Sequence, residues 1–323
     1  MKNTGNELRI SRVYDAPVKA VWDAWTDPEQ VGKWWGPRGF TITTHSKDLR
    51  PGGHWNYTMH GPDGTDYINK TKYFEVEKYA KLVYDHGGND EQAPLFRVRV
   101  LFSESAGKTK MDMTMTMPTR EAAAEILKVV KKHGGNSTWD RLAEYLEKEV
   151  AGKEAFVINR SFECPLEKMF DLWTVPAHFS KWLAPSGMTM EFIKADIREG
   201  GTSFYAMSGN GMKMFGKVHY LKIRRPDLIE YAQEFSDENG NLSRHPKSPT
   251  WPQRMLTRVT LTAEGPEQTR VTVRWEPQGQ IMAEELATFV QMRGGMTVGW
   301  TGSFDKLEEL LVSMDAATMQ PTA

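Results

Sequence analysis

The chain has 323 residues, enough for two or three domains at roughly 100–200 residues each. Its 41 Lys and Arg nearly balance 42 Asp and Glu, for a formal net charge of −1, so no global positive field exists to gather nucleic acid. A hydrophobic share of 39% against 26% charged is that of an ordinary globular protein, and no apolar run reaches the length of about 18 residues that a membrane span needs.

In chain order, Glu7 to Tyr14 alternates apolar and polar residues and is predicted to be a strand. Asp15-Ala16-Pro17 opens a helix in which Val18, Val21, Trp22 and Trp25 recur at helical spacing. Asp27-Pro28 starts a second short helix, DPEQVGKWW, stopped by Gly36-Pro37. Strands are predicted next over Thr41–Leu49, His54–Met59, Tyr67–Val76, Leu82–His86, Leu95–Ser103 and Lys110–Met117. Turn signals at Pro51-Gly52-Gly53, Gly61 to Gly64, Gly87-Gly88 and Ala106-Gly107 separate them. A helical stretch over Thr119–Val150 closes the series, kinked at Gly134-Gly135, with Trp139, Leu142 and Leu146 on one face. Such a sheet has one apolar face to cover, and the terminal helix is the element long enough to cover it. The expectation is an α+β fold, a curved antiparallel sheet gripping a helix.

A shift of 148 positions brings a second copy into register. Ile10 falls on Ile158, Trp25 on Trp173, Trp34 on Trp182, Asp48 on Asp196, and Gly52-Gly53 on Gly200-Gly201. The offset becomes 147 at Tyr84/Tyr231 and 159 at Val100/Val259, so the second copy carries about a dozen extra residues. They lie in Ser236–Gln253, a proline-stiffened loop that contains Trp251 and reads as a lid over the second mouth or as a domain contact. The domains are expected at 1–150 and 151–323, with a hinge in Lys148–Glu154 and a loose tail after about residue 314.

Period-two logic turns Trp55, Tyr57 and Met59 inward on one strand, Asn69 and Tyr73 on the next, then Tyr84 and His86, and finally Met113 and Met115. The second copy presents Tyr205, Met207, Tyr220, Tyr231, Gln233, Val273 and Trp275 in those places. Trp34, Trp35, Phe40 and Trp182 belong to the rim, as staples to the core or walls of an entrance. Flexible methionines and aromatic rings with a few polar groups among them serve equally as core filling or as the lining of a small-molecule cavity.

Chemical motifs are sparse. The 8 histidines form no HxH, HExxH or His/Cys cluster, and His54 and His60, on the outer face of one strand, read as surface residues. Cys164 is the sole cysteine, which excludes an internal disulfide, and it has no neighbouring histidine to activate it. Asp48 and Asp196 precede the glycine pairs and read as turn residues. The glycine pairs match no phosphate-binding loop. His86 is the one acid–base candidate, and its replacement by Gln233 would confine any chemistry to the first copy. No metal or cofactor is expected. The opening MKNTGNELRI has no apolar stretch of the kind found in signal peptides, and with a single thiol a cytoplasmic protein is expected.

The segments DPEQVGKWWGPRGFTI, PGGHWNYTMHGPDGTDY, KLVYDH and WDRLAEYLE resemble the domain found in activators of the heat-shock-protein-90 ATPase, part of the START-like, helix-grip (SRPBCC) superfamily. The resemblance covers nearly all of residues 7–150 and, more weakly, 155–313, where Trp35 becomes Leu183. It implies two tandem helix-grip domains and a tendency to hold hydrophobic ligands. It implies a particular activity poorly, because one fold hosts many functions. Relatives often pair such domains between chains, so the tandem could replace a homodimer. The preferred expectation is a non-catalytic protein that binds an apolar or aromatic small molecule. An enzyme acting on a hydrophobic, polyketide-like substrate and a chaperone-associated interaction module are the alternatives.

Overall fold

A computed structural model describes residues 2–88, 92–132, 137–151, 155–209 and 211–318. The chain forms two compact units, Met1–Val150 and Ala151–Ala323. The first runs β1 (Lys2–Thr4), β2 (Glu7–Tyr14), α1 (Val18–Thr26), α2 (Pro28–Val31), β3 (Thr41–Lys47), β4 (His54–His60), β5 (Asp66–Glu77), β6 (Lys81–His86), β7 (Phe96–Ser105), β8 (Lys108–Thr116), α3 (Arg120–Lys132) and α4 (Ser137–Ala151). The second runs β9 (Phe156–Phe162), α5 (Leu166–Thr174), α6 (Pro176–Trp182), β10 (Met188–Lys194), β11 (Thr202–Gly209), β12 (Met212–Arg224), β13 (Leu228–Ser236), β14 (Arg254–Gly265), β15 (Gln268–Pro277), α7 (Ala283–Gln291) and α8 (Arg293–Thr318).

Both sheets are antiparallel. The first has the order β1-β2-β8-β7-β6-β5-β4-β3 and the second β10-β11-β12-β13-β14-β15-β9. In each unit the strand before the first helix returns to pair with the last strand of the sheet. This is the α+β helix-grip architecture, built twice. The first sheet gains one short strand, β1, beyond those predicted, pairing Asn3 with Leu8.

The period-two pattern decides which face is buried. Met111, Met113, Met115 and Met117 are all buried along β8 and beyond its end, as are Val98, Val100 and Phe102 on β7, while Leu101 between them stays exposed. Curvature is built in at equivalent points of the two copies. Register shifts fall at Thr44/Ser46 and Tyr73/Glu75 in the first sheet and at Phe192/Lys194 and Tyr220/Lys222 in the second. One extra residue on one strand bends it, and two such bends wrap each sheet around its helix.

The helices differ from expectation in three respects. The second short helix spans four residues, Pro28–Val31, and does not run on to Trp35. Its start is fixed by Asp27, whose carboxylate accepts from the backbone N–H of Glu29 and Gln30 at 2.9 and 3.0 Å, and Gly36 at φ 94° ends the turn that carries the tryptophans. The terminal stretch is two helices in each copy, α3 with α4 and α7 with α8, so α4 alone lays Trp139, Leu142, Ala143 and Leu146 on the first sheet. The kink expected at Gly134-Gly135 and part of the expected hinge, residues 152–154, lie outside the described residues. Finally, α8 continues to Thr318, past the expected start of a loose tail, and residues 319–323 lie outside the described ones.

A cation from the long helix ties each copy together. In the first, Arg141 donates through Nη1 to the carbonyls of Gly36, Pro37 and Phe40 at 2.7, 2.9 and 3.1 Å. In the second, Lys306 donates through Nζ to Ala184, Pro185 and Met188 at 2.8, 3.0 and 2.6 Å. These are the corresponding carbonyls at the 148-residue offset. Carbonyls at a buried turn need donors, and a charged donor makes the stronger bond.

The glycine pairs after Asp48 and Asp196 are a second shared device. A Cβ on Gly53 would stand 2.2 Å from the Asp48 carbonyl oxygen, and on Gly201 equally 2.2 Å from that of Asp196. The aspartate side chains bond the guanidinium groups of Arg50 and Arg198, not the backbone of the turn. Gly53→Ala and Gly201→Ala are therefore each expected to cost about 3 kcal/mol of stability in urea unfolding of the full chain, the upper range for an unrelieved overlap, whereas Gly265→Ala, which meets nothing closer than 4.0 Å, is expected to cost under about 1 kcal/mol.

Candidate functional site

The first unit has a cavity of about 170 Å³, open to solvent on one side, between the end of the sheet and α4. Ile10 from β2, Tyr84 and His86 from β6, Phe96 and Val98 from β7, and Met113 and Met115 from β8 supply the sheet side. Trp35, Gly36 and Pro37 from the turn after α2, with Thr138 and Trp139 from α4, supply the rest. The Trp35 and Trp139 rings meet nearly at right angles, 87°, with centroids 6.1 Å apart. His86 stacks on Phe96 at 4.9 Å and 23°, a consequence of the β6–β7 register that sets these two residues opposite one another.

Three polar side chains border this otherwise apolar space: the Tyr84 hydroxyl, the His86 imidazole and the Thr138 hydroxyl. None has a hydrogen-bond partner for its side chain among the described residues. Burial lowers the His86 pKa from 6.5 to about 4, so the ring is neutral at pH 7. Burial likewise raises Tyr84 well above the usual phenol range, with the nearby Tyr73 and Tyr57 adding to the effect. Among the described residues no Asp, Glu, Lys or Arg borders the cavity.

Of the expected site residues, Trp35, Tyr84, His86, Met113 and Met115 line the cavity together. Trp34, Trp55, Tyr57 and Tyr73 are buried in the core beside it. Trp34 donates to the Ala24 carbonyl at 2.9 Å, Trp55 stacks on Tyr57 at 4.1 Å, and Tyr57 accepts from the Trp35 indole at 3.2 Å. Phe40 packs against Tyr67 at 6.2 Å, Asn69 donates to its neighbour's carbonyl at Tyr67, and Met59 is half-buried; none of these three borders the space. The sequence reading did not assign Ile10, Phe96, Val98, Thr138 or Trp139 to the site. Ile10 and Val98 follow from strand alternation, and Phe96 from hairpin pairing with His86. Thr138 carries no sequence signal, since its place depends on how α4 enters the sheet.

The second unit keeps the scaffold. A void of about 20 Å³ lies in its core, bordered by Tyr205, Tyr220, Tyr231 and Gln233 but not by Trp275 or Trp300. At the end of the sheet the two units differ in the last strand. Met115 opposes Leu8 as Trp275 opposes Phe156, and Met113 opposes Ile10 as Val273 opposes Ile158. Trp275 therefore stands where Met115 stands, and its ring packs edge-on against Trp300 at 5.5 Å. Trp182 donates to the Leu172 carbonyl at 3.0 Å as a core staple, and Met207 packs half-buried against the core. The Ser236–Gln253 loop docks on α7 of its own unit: Trp251 is buried against Phe289 at 5.8 Å, and Thr288 donates to Thr250 at 2.9 Å.

Outside these interiors the chemistry is slight. Cys164 is buried, and burial raises its pKa to about 11. His60 pairs with Asp66 at 2.6 Å on the exposed side of the first sheet. Among the described residues no group of three or more His, Cys, Asp or Glu is placed to hold a metal, and no helix is long and apolar enough to cross a membrane.

Among solved structures, a protein from Mycobacterium smegmatis is 28% identical, with 45% of this chain and 92% of that one covered at a TM-score of 0.41. A protein from Nitrosomonas europaea is 24% identical over 44% of this chain and 95% of its own, also at 0.41. An AHSA1 protein from Silicibacter pomeroyi is 16% identical over 50% and 99%, at 0.39. No curated protein matches the chain. The family profile described as Activator of Hsp90 ATPase homolog 1-like protein matches twice, over residues 15–147 and 163–312. Two full matches, one to each helix-grip unit, place this chain in that family as a tandem member.

Proposed function

We propose that the chain binds a small apolar or aromatic molecule, and that the first unit alone does so. One observation carries this reading: the first unit holds an apolar pocket of about 170 Å³ at the end of its sheet, where in the second unit the larger Trp275 replaces Met115 and packs on Trp300. An engineered apolar cavity of roughly 150 Å³ suffices to take up benzene. Burial of ligand surface against Trp35, Trp139, Phe96 and the two methionines supplies the affinity. The enzyme alternative has a neutral imidazole beside a phenol in its favour. Among the described residues no charged group borders the cavity to stabilise charge that develops in a reaction. Binding without turnover is the function these residues support.

Two measurements check this. First, a one-ring aromatic probe such as toluene, at about 100 times its dissociation constant, is expected to stabilise the first unit by about 2.7 kcal/mol. Met115→Trp, which copies Trp275, is expected to abolish that gain, and Trp275→Met to open a second site. An unchanged thermal shift in Met115→Trp would remove the cavity from consideration. Second, an unfolded chain protonates its histidine near pH 6.5, whereas folded His86 resists protonation until about 4. Stability is therefore lost as pH falls through that window. Between about pH 7 and 4.5 the native chain is expected to lose up to about 2.5 kcal/mol more than His86→Gln, and less to the extent that cavity water solvates the ring. Parallel acid limbs in the two proteins would show that the ring is not held neutral.

A further inference from the structure

We propose that the ligand of the first unit is a neutral, single-ring aromatic compound bearing one hydroxyl or comparable hydrogen-bonding group, of which phenol is the simplest case. This rests on the binding reading above and narrows it to a ligand class.

Size sets the first limit. A space of about 170 Å³ lies just above the roughly 150 Å³ that admits benzene and well below the 300–1,000 Å³ of drug-sized sites. One ring fills this space, and a fused pair would leave part of its surface in water. Shape is consistent: the near-perpendicular Trp35 and Trp139 rings form a corner for a flat guest, with edge and face both presented.

Polarity sets the second limit. The Tyr84 and Thr138 hydroxyls can each donate and accept, and neutral His86 has one nitrogen of each kind. Among the described residues all three lack hydrogen-bond partners. A hydrocarbon guest that drove out water would strand them, and a buried polar group left unpaired costs more than its bond would have contributed. A single hydroxyl both gives and takes a hydrogen bond and relieves that cost.

Charge sets the third limit. Arg141 is committed to the backbone carbonyls of the turn, and Arg38, within the turn, is paired with Glu144 at 3.0 Å. An anionic or cationic guest would be desolvated without a free counter-charge.

In the second unit Tyr84 is kept as Tyr231, while its surroundings change. His86 corresponds to Gln233, and Val98, which opposes Met115, corresponds to Thr257, which opposes Trp275. Thr257 acts on the Tyr231 phenol without reaching hydrogen-bond geometry, a neighbour that Tyr84 does not have.

The test uses the full chain with methyl-labelled methionine, so that the Met113 and Met115 methyl signals report binding in place. Phenol, toluene, benzoate, benzylamine and 2-naphthol are titrated separately at neutral pH. Phenol is expected to shift both methyls and to bind roughly tenfold or more tightly than each of the others, the discrimination of one good hydrogen bond or one avoided buried charge. Tyr84→Phe and His86→Leu are each expected to weaken phenol about fivefold while leaving toluene within about twofold, so that retained toluene binding certifies the folded cavity. If toluene or benzoate matches phenol at these methyls, the ligand class is wrong and the binding reading stands. If none of the five probes moves either methyl, both fall.

Discussion

In each unit an indole from the first helix lies almost flat on an indole from the long helix, and this contact sets how deeply the sheet can close. Trp25 stacks on Trp139 at 5.3 Å and 18°, and Trp173 on Trp300 at 6.2 Å and 21°. The stacked pair joins the first helix to the long one in both units. What lies beneath then depends on the side chains of that strand. With Met113 and Met115 a cavity remains. With Val273 and Trp275 the larger indole takes that place and packs on Trp300. Close packing is the default of protein interiors, and the open unit departs from it while keeping the same scaffold.

The two copies show which parts of the scaffold are required and which are replaceable. The paired bulges, the indole-to-carbonyl staple at Trp34 and Trp182, and the crowded Gly53 and Gly201 recur at one offset. The helix-to-turn clamp recurs in function but not in residue type, as Arg141 in one copy and Lys306 in the other. What the turn demands is buried donors for its carbonyls, and either cation can bring them if its helix position gives the reach. The cap of the second short helix does not recur: Asp27 accepts two backbone N–H groups, whereas Val175 offers none, and α6 is held by burying Phe179 and Trp182. A lost cap costs on the order of 1 kcal/mol, which two buried aromatic residues readily offset.

Most of this architecture was legible in the sequence because it depends on periodicity. Strand alternation, turn glycines and the tandem register each determine a local property that the fold then uses. The candidate site was legible only in part. Trp55, Tyr57, Tyr73, Tyr84, Met113 and Met115 all face inward, yet alternation cannot separate a residue that fills the core from one that borders a void. That distinction depends on the third dimension: the depth of α4, the angle of the Trp35 ring, and the turn that brings Gly36 and Pro37 over the sheet end. In the second copy the same limit placed Tyr205 and Tyr231 beside a presumed cavity. The volume of Trp275, visible in the sequence, acquires its meaning only once it is seen to oppose Phe156 at the position of Met115.

The open interior costs the first unit stability. Tyr84, His86 and Thr138 hold polar atoms at an apolar space without protein partners, and each such group is worth on the order of 1–3 kcal/mol if left dry. The second unit fills its interior with Trp275, Trp300, Trp251 and Phe289, and leaves the Trp275 and Trp300 indole N–H groups buried without partners among the described residues. A domain of ordinary size keeps only about 5–15 kcal/mol of net stability, so retaining three such groups is not a small concession. Interiors of this kind are found where a guest restores what the protein lacks: contacts for the rings and partners for the polar atoms. The same sequence thus contains both the closed solution and the open one, and the difference between them reduces to a few side chains on the strands and helices around one end of the sheet.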